Sequence, residues 1–247
     1  MVSYPEKLYH ILKVIDTSSG PLGSCTISQL LNARDLPISE ATVGRLLRRC
    51  DGEGWTEKKG FQGRVLTQQG QQKLQEWEIA QRQERNTNRF VRLTRVEDKE
   101  ELVSILVARR AIEREIARLA AINAGKDDID ELKAIIHYNW DRAERGLTGA
   151  QEDVAYHKNL ARIAGNKILE AALEMIRQEA QLSPILEKIR HEVGSRLVDD
   201  HIAILEAIEK GHSQEAEEAM VRHIEGIIDD VNTYWASVQR EEKGHGS

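Results

Sequence analysis

Residues 39–50, Ser39-Glu-Ala-Thr-Val-Gly-Arg-Leu-Leu-Arg-Arg-Cys50, decide the N-terminal fold. Ser39 suits a helix N-cap, because its hydroxyl can accept a backbone N–H from the first turn. Val43, Leu46 and Leu47 recur at helical spacing and predict a buried stripe. Thr42, Arg45, Arg48 and Arg49 are left for the outer face. Just before this stretch, Thr26–Arg34 predicts a short helix with Ile27, Leu30 and Leu31 inward, and Asp35-Leu36-Pro37-Ile38 is the turn between the two. Two helices joined by a short turn, the second capped by Ser and rich in Arg, predict a helix-turn-helix.

The flanks extend that unit. Residues 4–18 carry Leu8, Ile11, Leu12 and Ile15 at helical spacing, with Pro5 in a first turn, where its missing N–H costs nothing. Ser18-Ser-Gly-Pro-Leu-Gly23 breaks that helix. Residues 52–67 predict two short strands around a glycine-containing turn, with Lys58, Lys59 and Arg64 beside the tip. This completes a winged helix-turn-helix. Ser39, Thr42, Arg45, Arg48 and Arg49 are expected to meet bases or phosphates, and Lys58, Lys59 and Arg64 to add backbone contacts. Residues 68–83 read as a connecting helix, with Leu74, Trp77 and Ile79 available for packing on the wing or on a second subunit, and residues 84–98 as a charged linker.

Charge divides the 247 residues the same way. Residues 1–83 hold 11 Lys and Arg against 9 Asp and Glu, whereas residues 99–247 hold 20 against 29. A mildly basic module can meet phosphates while the acidic remainder does something else. No apolar run reaches the length of a membrane span, so no membrane partner is expected. Met1–Glu6 lacks a basic segment leading into an apolar one, so no signal peptide is expected. Cys25 and Cys50 lack zinc-finger spacing and suit reduced thiols in a cytoplasmic protein.

Residues 99–240 show helical periodicity throughout and predict six or seven antiparallel helices joined by short loops, with 241–247 a disordered tail. One break between helices is expected at Ser183-Pro184. The fold class is therefore mainly α: a winged helix-turn-helix followed by an antiparallel bundle. Within the bundle, Asp153 and His157 are four residues apart, so a carboxylate and an imidazole share one helix face. His201 and His223 lie on two later apolar-periodic helices. Three imidazoles and a carboxylate can bind one side of a metal ion and leave other positions open. Spacing by itself equally allows three locally satisfied histidines.

Three further stretches carry a resemblance: Val107-Ala-Arg109-Arg-Ala-Ile-Glu113 through Ala121, Asp153-Val-Ala-Tyr-His157 through Gly165-Asn166, and Asp200-His201 through Gly211 with Glu215 through His223. Together they resemble the FadR-like branch of the GntR family of bacterial transcription regulators, those with an FCD effector domain. The resemblance implies that Asp153, His157, His201 and His223 hold a divalent metal, zinc first, with nickel, manganese or iron as alternatives. It implies that Arg109 faces a small organic acid effector, which a guanidinium fork suits. It also implies a homodimer on pseudo-palindromic operator DNA. Two rival functions are a metal sensor, in which the ion is the signal, and a metal-dependent enzyme. No general base or nucleophile accompanies the ligand set, and the expectation is a regulator and not an enzyme. The front departs from the family: its usual Pro-Pro-Gly and Ser-Arg-Thr-Pro-Val-Arg are replaced by Gly20-Pro-Leu-Gly23 and Ser39-Glu-Ala-Thr-Val-Gly-Arg45.

Overall fold

The computed structural model describes residues 4–145, 149–177, 179–195 and 198–244. The chain divides into two compact units, Met1–Arg89 and Phe90–Ser247.

The first unit begins with α1 (Tyr4–Asp16), α2 (Ser24–Asn32) and α3 (Glu40–Gly52). Their buried faces, Leu8, Ile11, Leu12, Ile27, Leu31, Val43, Leu46 and Leu47, make one core. The turn before α3 is fastened from both sides: the Ser28 hydroxyl donates to the Ile38 carbonyl at 2.6 Å, and Asn32 Oδ1 accepts from the Ile38 N–H at 3.2 Å. Ser39 caps α3, its hydroxyl accepting from the Thr42 N–H at 3.4 Å. Leu30, expected to point inward, is exposed. Ser28 takes a buried place on that face instead, because its hydroxyl is needed under the turn.

The wing is β1 (Thr56–Lys58) paired antiparallel with β2 (Arg64–Leu66), and Leu22 exchanges backbone hydrogen bonds with Arg64 on the far side. Gly63 sits where those segments meet. Its φ is +129°, and a Cβ there would lie 2.2 Å from the Leu22 carbonyl carbon. Gly63→Ala therefore combines a backbone conformation costly for an L-residue with a collision against main chain. A loss of roughly 1–3 kcal/mol is expected in urea unfolding of the first unit. A change below about 0.5 kcal/mol, the range of inert surface substitutions, would refute it.

α4 (Gln68–Leu93) follows. Leu74 is buried in the first unit's core, and the Trp55 and Trp77 rings meet edge to face at 5.4 Å, while Ile79 is exposed. The helix continues ten residues beyond the expected end near Gln83, so most of the segment read as linker is helical. Its residues lack any Gly or Pro that would stop a helix.

In the second unit, α5 (Lys99–Asn123), α6 (Lys126–Glu144), α7 (Ala150–Ala164), α8 (Lys167–Arg177), α9 (Glu179–Val193), α10 (Val198–Glu209) and α11 (Ser213–Gly244) form the all-α bundle. Asp98 caps α5 by accepting from the Glu101 N–H at 2.8 Å. Gly165 and Gly211 close α7 and α10 in the left-handed region that glycine enters freely. Pro184 lies inside α9, where the sequence predicts a break before Ile185. Leu182, Leu186 and Ile189 are all buried there. At about 1.5–3 kcal/mol for each buried side chain, they outweigh the roughly 3 kcal/mol that a helix-interior proline costs. The tail expected to be disordered from residue 241 is helical to Gly244, and 245–247 fall outside the described residues.

α5 packs along α11 and also touches α7, α8 and α10, which makes it the bundle's central helix. Leu102, Leu106, Ile116, Leu160, Ile204, Met220 and Ile224 are among the buried residues it gathers. Among the described residues, no helix is long and apolar enough to cross a membrane.

Candidate metal centre and DNA-facing surface

Asp153 and His157 lie one turn apart on α7, and α10 and α11 bring His201 and His223 to the same point. All four are buried, and one ligand atom from each lies within 4.8 Å of every other. Asp153 Oδ1 is 3.6 Å from His157 Nε2 and 3.5 Å from His201 Nε2. Ligand atoms bonded about 2.1 Å from one ion sit roughly 3–3.5 Å apart, so these separations suit a shared cation. Asp153 Oδ1 and the Nε2 atoms of His157, His201 and His223 are buried without a hydrogen-bond partner among the described residues. Buried polar atoms are normally paired, and three imidazole nitrogens and a carboxylate oxygen, all unpartnered and converging on one point, are what a divalent cation would satisfy.

A second layer of groups orients these ligands. His157 Nδ1 abuts Glu113 Oε2, and Glu113 Oε1 accepts from Arg109 Nε at 2.6 Å. His223 Nδ1 lies 3.4 Å from Asp200 Oδ2. The Tyr156 ring stacks on His201 at 4.4 Å, and its hydroxyl donates to the His201 carbonyl at 3.0 Å. Arg177 Nη2 donates to Asp153 Oδ2 at 2.7 Å, leaving Oδ1 for the centre. Such partners fix which ring nitrogen is presented and in what direction.

The electrostatics agree with a ligand set. Burial would raise the Asp153 carboxyl, but Arg177, then His157 and Arg190, hold it well below the usual carboxylate range. Burial, reinforced by His223, keeps His201 well below the ordinary histidine value. Burial brings His223 down to about 4. At neutral pH both rings therefore keep a free lone pair. Glu113 also stays ionised: burial opposes it, and Arg109 and His157 overcome that opposition.

Arg109 is buried on α5 with one nitrogen, Nη2, unpartnered. Arg177 Nη1 and Arg190 Nε share that condition, and Arg190 Nη1 is 3.9 Å from Asp153 Oδ1. The sequence patterns did not single out Arg177 or Arg190, because they sit on α8 and α9 with no spacing relation to the histidines. Glu113 carried a signal in its i, i+4 relation to Arg109.

On the first unit, Arg45, Arg48 and Arg49 are exposed along α3. Arg49 donates to the Tyr4 hydroxyl at 2.9 Å and lies 3.7 Å from Glu53. The Ser39 hydroxyl lies 3.0 Å from Thr42 Oγ1 at the start of α3. Lys58 and Lys59 are exposed on the wing, Lys59 beside Glu57 at 2.9 Å. Arg64 is placed differently from its expected role at the tip. Its Nε meets both Asp51 oxygens at 2.9 Å and its Nη2 meets Oδ2 at 2.8 Å, which straps β2 to the end of α3.

Family models match both units. Residues 104–226, about half of the chain, match the FCD domain, and residues 9–74 match the Ribonuclease R winged-helix domain. Residues 104–226 are an FCD domain. The FCD domain contains Arg109, Glu113 and the four clustered residues. The chain is similar to the Uxu operon regulator of Haemophilus influenzae, 36% identical over 135 residues that cover 50% of this chain and 48% of that one. It is similar to the Exu regulon transcriptional regulator of Escherichia coli, 32% identical over 125 residues, 49% of this chain and 48% of that one. A third relative is the global nitrogen regulator NrpR of Methanocaldococcus jannaschii, 35% identical over 82 residues, 33% of this chain and 15% of that one. The chain thus spans about half the length of the Uxu and Exu regulators it matches. The Ribonuclease R type of winged helix ahead of the FCD domain accords with the missing GntR signature at residues 20–23 and 39–45.

Proposed function

We propose that this protein is a cytoplasmic transcription regulator that binds operator DNA as a homodimer and responds to a small organic acid held at a divalent metal in its FCD domain. The observation that carries this reading is the set of four buried, unpartnered ligand atoms on Asp153, His157, His201 and His223. They occur in the same chain as an exposed arginine-bearing helix of winged helix-turn-helix type. Three nitrogens and one carboxylate oxygen suit zinc first, with nickel, manganese and iron as the other candidates. When bound, the ion supplies a Lewis-acid anchor for an anionic ligand. Arg109 would complete the effector site with its unpartnered Nη2, and Arg177 and Arg190 add positive charge beside Asp153. Ser39, Thr42, Arg45, Arg48 and Arg49 are the proposed contacts of α3, with Lys58 and Lys59 on the wing. Arg64 would act through Asp51, holding the wing to α3.

An effector shifts DNA affinity only as far as it binds the DNA-competent and incompetent states differently. The test is a titration of duplexes selected by the full chain from a random library, using metal-loaded and EDTA-stripped protein, with and without a panel of small carboxylic acids. A change of DNA affinity that needs both metal and an acid supports the proposal. A change driven by metal alone favours the metal-sensor reading. A His201→Ala/His223→Ala variant with full metal content and an unaltered acid response would overturn the site assignment.

A further inference from the structure

Phe61 is fully exposed, and it is the most exposed large hydrophobic side chain among the described residues. It stands at the tip of the wing, in Lys58-Lys-Gly-Phe-Gln-Gly63. Gly60 and Gly63 flank it with positive φ of +57° and +129°. The turn is closed by Lys59 N–H on the Gly63 carbonyl at 2.8 Å and Gln62 N–H on the Lys59 carbonyl at 3.1 Å. Below the tip, the hairpin is braced by the Arg64–Asp51 ion pair and by backbone pairing with Leu22. A tight, braced turn therefore holds one aromatic ring out in water. A single exposed apolar side chain is common on protein surfaces; what sets Phe61 apart is that a braced, glycine-flanked turn holds it fully exposed among lysines.

The surroundings favour nucleic acid over protein. Protein-binding patches are contiguous apolar surfaces, but the exposed neighbours of Phe61 are Lys58, Lys59, Gly60 and Gln62. Glu57 is the nearby acid, and its exposed pair with Lys59 is of the kind worth at most about 1 kcal/mol, so a phosphate can replace it. A single apolar side chain framed by lysines on a narrow hairpin matches the wedges that minor-groove proteins insert between base steps.

We propose that Phe61 enters the minor groove of the bound duplex and partly unstacks one base step, while Lys58 and Lys59 hold the flanking phosphates. This rests on the DNA-binding reading above. Pyrimidine–purine steps unstack most easily, so one should recur beneath the wing in selected sites.

The test uses the full chain and duplexes it selects from a random library, carrying 2-aminopurine at the candidate step and a dye at each end. Wild type should raise 2-aminopurine fluorescence and shorten the end-to-end distance. Phe61→Ala should abolish both signals and weaken binding about tenfold or more, as loss of one wedge predicts. Phe61→Leu should retain most of both. The salt dependence of Phe61→Ala should match wild type, since no phosphate contact is removed. Equal affinity and fluorescence for wild type and Phe61→Ala would overturn the wedge while leaving DNA binding intact. A Phe61→Ala protein that loses self-association in sedimentation would overturn it in favour of a protein contact. If wild type selects no sequence and binds no duplex, the DNA reading fails and the wedge with it.

Discussion

Stripping the metal-loaded chain with EDTA is expected to lower the thermal midpoint of the second unit by about 10 °C. A ligand at a thousand times its dissociation constant stabilises the folded state by about 4 kcal/mol, and each kcal/mol moves the midpoint of a domain this size by roughly 2–4 °C. The direction follows from the site. Without an ion, Asp153 Oδ1 and three Nε2 atoms are buried with no partner among the described residues. With one, each gains a bond that the unfolded chain cannot assemble. His201→Ala and His223→Ala should each remove most of the EDTA response and lower metal content measured by plasma mass spectrometry. His137→Ala, an exposed position on α6, should leave both unchanged. A shift under about 2 °C in protein shown to have been metal-loaded would mean the cluster contributes no metal-linked stability.

Half of that site was legible without coordinates. Asp153 and His157 share a helix face by the geometry of one turn, so a single helix suffices to pair them. His201 and His223 belong to α10 and α11, and nothing in separations of 44 and 22 residues places them beside α7; tertiary packing does that. Their motifs supplied by resemblance what spacing withheld. The orienting layer was less accessible still. Arg177 reaches Asp153 from 24 residues away, and only tertiary packing tells it from the chain's exposed arginines. On the first unit, the helix-turn-helix and wing were readable because each turn is punctuated by Gly, Pro or a Ser cap. Arg64 was misplaced for the opposite reason: Asp51, which claims it, is 13 residues distant and lies across a strand from it. Leu30 and Pro184 show the same limit, since a buried hydroxyl and a set of core aliphatic side chains overrode local preference there.

Glu113 is where the largest single-residue effect is expected. The Arg109 and Glu113 side chains are 2% and 1% exposed, and Glu113 also meets His157. Glu113→Ala would leave a guanidinium buried without its anion. Breaking a buried ion pair from one side costs about 3–5 kcal/mol, far more than the pair's net contribution against an apolar replacement. Urea unfolding should therefore show a loss in that range. The substitution should also weaken metal binding about 10–100-fold in competition with a chromophoric chelator, because His157 loses the group that orients it. The two effects are separable. Arg109→Met/Glu113→Met removes both charges at similar volume and should recover most of the stability, yet the weakened metal affinity should persist. If Glu113→Ala unfolds within about 1 kcal/mol of wild type, the buried pair carries no such load. If the double variant regains full metal affinity, Glu113 contributes packing at His157 and no orientation.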